Sequence, residues 1–316
     1  MKGRNMINTK NEKKIDFRRI RPEDKPLYES RLASEGERGC EFSFANLYLW
    51  GRQSFAEFEG QVLLFSQFDR RSVYPYPVGH GDKRAAIEAI IEDSRARGIP
   101  CRISGITDEA KETMEELFPN RFRYHSDEGS FDYVYSIDDL ADLPGKKYDG
   151  KRNHLRRFRE AYPDCKVEPI DASNISDAEK FAEDWYARRL AENPDADFYM
   201  ERAALTKALR NGEALALEGV VLRSGGEILA ITLASRLSHD VFDVHFEKAR
   251  GDVQGAYAAI NCEFAQYIRR KHPEVRYLDR EEDMGLEGLR RAKKSYHPIR
   301  MIKKCWACLL EDGYDY

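Results

Sequence analysis

The chain has 316 residues, 41% of them apolar and 34% charged, with a formal net charge of −4. That composition describes a globular protein with a heavily charged surface and enough length for two cores. It contains no apolar run near the roughly 20 residues that cross a bilayer, and the N-terminal MKGRNMINTKNEKK lacks the apolar stretch of a secretory signal. The expected location is therefore cytoplasmic. Six scattered cysteines (Cys40, Cys101, Cys165, Cys262, Cys305 and Cys308) read as reduced packing residues. The Cys305-Trp-Ala-Cys308 pair stands alone in a strand-like stretch, so no metal set is read from it.

The pattern predicts a short strand over 17–20 and a helix opened by Pro22. Aromatic residues at helical spacing follow over 41–50, then three strands at 55–58, 62–65 and 73–76. An amphipathic helix over 82–97 leads to a strand at 101–104, a helix at 107–117, and strands near Phe122 and over 131–135. A basic helix, 148–162, separates this half from the next. The second half repeats the order: a strand at 166–170, helices at 176–193 and 200–210, and strands at 214–222, 227–237 and 241–247. It continues with a helix over 254–270, a strand at 275–278, a helix at 285–294, and strands at 299–303 and 306–310. Each half reads β-α-α-β-β-β-α-β-α-β-β, the element order of the Gcn5-related N-acetyltransferase fold. The expected class is α+β: two tandem acyl-CoA N-acyltransferase (GNAT)-like domains with mixed, mostly antiparallel sheets flanked by helices. The expected division is 1–145 and 146–316, the second domain opening with the basic segment 146–162.

Three constellations carry chemistry. Asp279-Arg280-Glu281-Glu282-Asp283 follows a short apolar strand, where open α/β sheets place their ligand crevices. Asp243, His245 and Glu247 alternate along a central strand, so all three should share one face. The run 146–159 carries seven cations against Asp149 alone, which suits a polyanionic partner or a solvated linker equally.

The segment 279–298, together with Lys151-Arg152-Asn153-His154 and Asp243-Val-His-Phe-Glu247, resembles a bacterial family similar to the C-terminal domain of phosphatidylglycerol lysyltransferase. The resemblance implies an acyltransferase that moves an aminoacyl group from aminoacyl-tRNA to a lipid hydroxyl, an arrangement shared with the Fem peptidoglycan transferases. It implies tRNA, and anionic lipid at a membrane surface, as partners. Full-length lysyltransferases carry a membrane-embedded N-terminal region that these 316 residues lack, which leaves the acceptor open to another hydroxyl or an amine.

In that frame Lys151, Arg152, His154 and Arg156 are candidate contacts to phosphates, with His154 leaning toward a local hydrogen bond. Asp243 and Glu247 are candidates for recognising an amine or acting as a base. Gln254, Gly255 and Ala256 open a helix where acetyltransferases hold a pyrophosphate. The Arg250–Ala256 loop departs from the acetyltransferase spacing, which favours aminoacyl-tRNA over acetyl-CoA as donor. Arg280, Glu281, Lys293 and Tyr296 are the expected catalytic group: a carboxylate for the donor amine, cations for the oxyanion, and a phenol for the leaving oxygen. Asp283 is expected to cap the following helix. An acetyl-CoA-dependent N-acetyltransferase of a small amine, or a non-catalytic module for an anionic ligand, are the alternatives.

Overall fold

The computed structural model describes residues 14–313 apart from Arg52, Asp69 and Arg70. The polar N-terminal stretch considered above lies almost wholly outside the described residues. The first half contains β1 (Arg18–Arg19), α1 (Lys25–Leu32), α2 (Phe44–Leu49), β2 (Gln53–Phe58), β3 (Gln61–Phe68), β4 (Arg71–Pro75) and β5 (Val78–Gly79). It continues through α3 (Lys83–Arg97), β6 (Arg102–Ile106), α4 (Asp108–Leu117), β7 (Phe122–Ser126) and β8 (Asp132–Ser136). Then come α5 (Ile137–Asp142), α6 (Asp149–Ala161), β9 (Lys166–Pro169), α7 (Ile175–Glu192), α8 (Tyr199–Leu215), β10 (Glu218–Ser224), β11 (Glu227–Arg236) and β12 (Val241–Ala249). The chain closes with α9 (Ala256–Lys271), β13 (Tyr277–Asp279), α10 (Glu287–Lys294), β14 (Arg300–Ile302) and β15 (Cys305–Leu309).

Local chemistry sets several boundaries. The Asp82 carboxylate accepts from Arg84 and Ala85 N–H to start α3, and Gly98 at φ +69° ends it. Ser43 and Thr107 cap α2 and α4 through Asn46 and Ala110. The strand expected over 214–222 begins later, because α8 runs on to Leu215, which is fully buried with Leu205 and Leu209. Helix α5 was not expected from the pattern; it is short and starts from a Ser136 cap.

The strands form two sheets. The first has the order β1-β2-β3-β4-β6-β15-β7, with β5 paired to β3, and the second β14-β8-β13-β12-β11-β10-β9. The halves therefore exchange strands. β8 leaves the first half to pair with β13 and β14, and β15 leaves the second to sit between β6 and β7. A division at 145/146 cuts across both sheets, because strand pairing follows backbone partners and not chain order.

Helices α5, α6 and α9 pack one face of the second sheet, with Leu155, Phe158, Ile260 and Phe264 among the core residues. Burying each such side chain contributes about 1.5–3 kcal/mol. The opposite face meets α7, α8 and the first half in a core that includes Phe42, Tyr186, Ile231 and Phe246. No described helix is long and apolar enough to cross a membrane.

Candidate active site

β12 and β13 run parallel and pair at Val241–Tyr277, Phe242–Leu278 and Asp243–Asp279. There β13 ends, while β12 continues to Ala249. The two strands part, and the loop from Arg280 to Leu286 fills the gap. The backbone needs unusual turns to do so: Glu281 and Met284 lie at φ +58° and +52°, a conformation that costs non-glycine residues roughly 1–2 kcal/mol. The loop is fixed from both sides. Arg280 N–H donates to the Tyr133 carbonyl at 3.0 Å and Tyr133 N–H to the Glu281 carbonyl at 3.2 Å. Lys293 donates its ammonium to the carbonyls of Glu282 (2.6 Å) and Arg280. That commitment makes Lys293 a clamp on the loop and not the oxyanion donor expected of it.

The three polar residues of β12 do not share a face. Val244 pairs with Ala234 and Phe246 with Leu233, so His245 is an extra residue, a β-bulge, and the alternation shifts beyond it. Asp243 and His245 face the first half, whereas Glu247 faces α9 and is bound by Asn261 at 3.2 Å.

On the first face, the Asn46 amide from α2 donates to Glu281 Oε1 at 3.0 Å and reaches Asp243 Oδ2 at 3.3 Å. His245 Nδ1 lies 3.2 Å from Glu281 and 3.4 Å from Asp243, and its Nε2 lies 2.8 Å from Ser235 Oγ. Burial pushes the Asp243 carboxyl well up, and the charges of Glu281 and Asp279 add to it. Burial also acts on Glu281, but the bonds from His245 and Asn46 more than offset it and hold that carboxyl below its usual range. Asp279 is fully buried, with one oxygen accepting from Glu281 N–H at 2.8 Å and the other without a partner. Ligand atoms of Asp243, His245 and Glu281 lie within 4.8 Å of one another, a spacing that suits a divalent cation or an ammonium group. Alternation along β12 put Asp243 and His245 on one face, but no local spacing joined Glu281 to them.

On the second face, Arg280 pairs with Glu247 at 2.8 Å, and its guanidinium lies 5.0 Å from the Tyr296 ring and 5.6 Å from the Tyr135 ring. Its Nη1 is buried without a partner. Lys151 reaches in from α6, 3.7 Å from the Tyr296 ring centre and 2.7 Å from Ser295 Oγ. Burial, with Arg280 nearby, lowers the Lys151 ammonium to about 8. Burial likewise holds the Tyr296 phenol far above its usual range.

A third cluster joins the two sheets where the chain crosses between them. Lys304, just before β15, binds Asp132 at 2.9 Å and Glu41 and Glu282 at 2.8 Å each. Asp132, at the start of β8, also accepts from Cys40 N–H at 2.8 Å. The Cys40, Glu41 and Glu282 group has metal-like spacing, but the Lys304 ammonium already occupies it.

The structure thus brings Arg280, Glu281, Tyr296, Lys151, Asp243 and Glu247 together and leaves others outside. Arg152 binds the carbonyls of Leu143 and Gly145 and the Asp149 carboxylate, so it braces the start of α6. Arg156 and His154 are exposed, Arg156 beside Asn153 and Glu160. Gln254 is exposed, and Gly255 sits at φ +84° against α6, where a Cβ would come within 2.4 Å of the His154 carbonyl oxygen. Asp283 does not cap α10, whose N-cap is Leu286 without a side-chain bond. Instead it binds Gly285 N–H, the Tyr133 hydroxyl and the Arg290 guanidinium, which drives its carboxyl far below the usual range, Arg290 foremost. The residues that sequence reasoning missed are Asn46, Ser235, Asn261 and Lys304. Asn46 had one visible signal, a polar residue inside an aromatic helical stretch.

Two sheets flanked by helices, a parallel strand pair that parts, and ionisable groups buried at the parting define a tandem acetyltransferase-like fold. Residues 33–308 match the family described as "Phosphatidylglycerol lysyltransferase, C-terminal", and the chain belongs to that family. A conserved protein of unknown function from Bacteroides thetaiotaomicron is 36% identical, with a TM-score of 0.89 over 93% of this chain and 99% of that one. L-PGS from Bacillus licheniformis is 17% identical, with a TM-score of 0.64 over 90% and 92% of the two chains. FemX is 12% identical, with a TM-score of 0.59 over 95% and 98%. An uncharacterized protein of Mycoplasmoides gallisepticum is 26% identical over 184 residues, a match spanning 56% of this chain and 56% of that relative.

Proposed function

We propose that this protein transfers an aminoacyl group from aminoacyl-tRNA to a hydroxyl or amine acceptor, with a lipid hydroxyl the first acceptor to test. One observation carries the reading. The gap between β12 and β13 has the half-buried Glu281 carboxylate and the buried Asp243 carboxyl on one side and a guanidinium nitrogen of Arg280 without a partner on the other. An aminoacyl ester has the matching polarity, a cationic amine next to a carbonyl that turns negative when attacked. Glu281 would hold the amine by a charge-assisted bond, and Arg280 would meet the oxyanion.

The acceptor oxygen forms its bond to the carbonyl carbon and the bond to the ribose oxygen breaks. The proton lost by the acceptor is returned, through Tyr296, to the ribose oxygen. Membership of a family named for lysyl transfer to phosphatidylglycerol supports this direction. So does the Arg250–Ala256 loop, whose spacing departs from that of acetyltransferases that hold acyl-CoA.

The test is transfer of radiolabelled lysine from lysyl-tRNA to phosphatidylglycerol vesicles and to soluble hydroxyl and amine acceptors, with labelled acetyl-CoA as a parallel donor. Labelled product is expected from the tRNA donor, and Glu281→Gln should lower kcat/KM by about 100-fold or more, as loss of a charged contact in the transition state does. Turnover with acetyl-CoA alone would replace the reading by N-acetyl transfer.

A further inference from the structure

A cavity of about 430 Å³ lies round the far end of β12, within the roughly 300–1,000 Å³ of small-ligand pockets. It is apart from the buried charges but next to them. Ala249, which lines it, follows Glu247 by two residues on the α9 side of the strand, a step of about 7 Å. Tyr257, on the first turn of α9, also lines the cavity and is 43% exposed, one of the few large aromatic side chains left open to solvent. The ring edge is open while the hydroxyl end is sunk toward Ala249: burial raises the phenol, and the charge of Glu247 adds to the rise.

Trp185 also lines the cavity, its indole beside the Tyr257 phenol. Its Nε1 is fixed to the Ala249 carbonyl at 3.0 Å, and Lys248 lies over its ring at 4.4 Å. Arg188 and Arg189 line the cavity in solvent-exposed pairs with Asp252 (3.6 Å) and Glu192 (2.9 Å). Pairs of that kind contribute little to stability and can be exchanged for a phosphate.

A rigid aromatic wall, an open aromatic platform and exchangeable guanidinium groups, one strand step from the reacting centre, fit a nucleoside with its phosphate chain. Bases of any kind stack on such platforms. We propose that this cavity takes the terminal nucleoside of the aminoacyl-tRNA donor. The base stacks on Tyr257 and the preceding phosphates run to Arg188 and Arg189, so that the ribose ester points along β12 toward Glu247 and Arg280. This inference rests on the aminoacyl-transfer reading and assigns the part of the donor that positions the ester.

The probes are the RNA trinucleotide CCA and the same trinucleotide carrying a 3′-amide-linked lysine. Binding is followed by calorimetry and by fluorine NMR of 5-fluorotryptophan-labelled protein, with the Trp185 signal assigned by its loss in Trp185→Phe. CCA is expected to bind, to shift the Trp185 signal, and to bind about 10-fold more weakly to Tyr257→Ala, with affinity restored in Tyr257→Trp. Arg188→Glu combined with Arg189→Glu should weaken binding and flatten its salt dependence. Glu281→Gln should leave CCA affinity unchanged and remove the gain from the attached lysine.

Unchanged CCA affinity in Tyr257→Ala, or CCA binding that leaves the Trp185 signal in place, overturns the proposal. Lysyl transfer with an unaltered KM for tRNA in Tyr257→Ala overturns it while leaving the aminoacyl-transfer reading intact. Tight CCA binding at Tyr257 without transfer to any acceptor leaves a nucleotide site and defeats the aminoacyl-transfer reading instead.

Discussion

Each sheet contains one junction where a strand pairs in parallel with a strand from beyond a helix, and the two junctions are finished differently. In the first sheet β4 meets β6 at Tyr74–Ile103 and Pro75–Ser104. The chain then turns at once into α4, with Thr107 as the cap. Gly105 at φ +68° lets the Phe42 ring lie where a Cβ would be, at 2.5 Å, so aromatic packing seals the opening. In the second sheet β12 meets β13, but seven residues, Arg280 to Leu286, intervene before α10. The bulge at His245 sends polar side chains to both sides of that opening. One junction is closed by packing and the other is held open by charge. A repeated topology thus supplies two equivalent junctions, and they differ in the length of the loop after the second parallel strand and in the charge gathered there.

Lys304→Met should break the contrast most severely. It strands the carboxylates of Asp132, Glu41 and Glu282, and leaving buried charge unpaired costs about 3–5 kcal/mol. Chemical denaturation should show the loss, with both sheets destabilised together because the cluster sits on both chain crossings. Gly255→Ala comes next. It forces a left-handed backbone on alanine and drives its Cβ onto the His154 carbonyl oxygen, for an expected loss of about 2–3 kcal/mol. A melting curve as stable as the unaltered protein's would mean that α6 does not rest on α9 as described.

Glu282→Gln sharpens the contrast through pH. Burial raises the Glu282 carboxyl to about 7, against 4.5 in the unfolded chain; Lys304 pulls it down, and Asp132 and Glu41 push it up. Between those pH values the folded protein keeps a proton that the unfolded chain has released. Its contribution to stability is therefore full below about 4.5 and is lost as pH rises through about 7. Partial exposure screens the effect to about 1–2 kcal/mol. Denaturation at pH 5 and pH 8 should show a smaller difference in Glu282→Gln than in the unaltered protein.

The smallest effect on stability is expected from Arg156→Glu, whose side chain is 69% exposed. It should shift stability by no more than about 0.5 kcal/mol while weakening tRNA binding and lowering its salt dependence. Unchanged tRNA affinity would remove α6 from the docking surface.

Much of the architecture was legible beforehand. Apolar periodicity and caps placed most helices and strands to within a few residues, and the charged run after β13 marked the open junction. The site was legible in part. Arg280, Glu281, Tyr296 and Glu247 do converge, because each lies at or near the parting of β12 and β13. Strict alternation put Asp243 and Glu247 on one face, since nothing in the local pattern reveals a bulge; a bulge is an agreement between two strands about which residue goes unpaired. Lys293 looked like a catalytic cation because its charge is visible in sequence and the two carbonyls it binds are not.

By itself the sequence determined the element order, the apolar stripes that bury α6 and α9, and the concentration of charge after β13. These depend on residues near one another in the chain. The tertiary structure alone decided that β8 and β15 trade sheets, that Lys304 closes the crossing, and that Asn46 from the first half completes a cluster with Asp243, His245 and Glu281. Those choices join residues far apart in sequence: the local pattern of a strand sets which face it buries but not which distant strand it pairs with, and a buried charge takes whichever partner folding brings within reach.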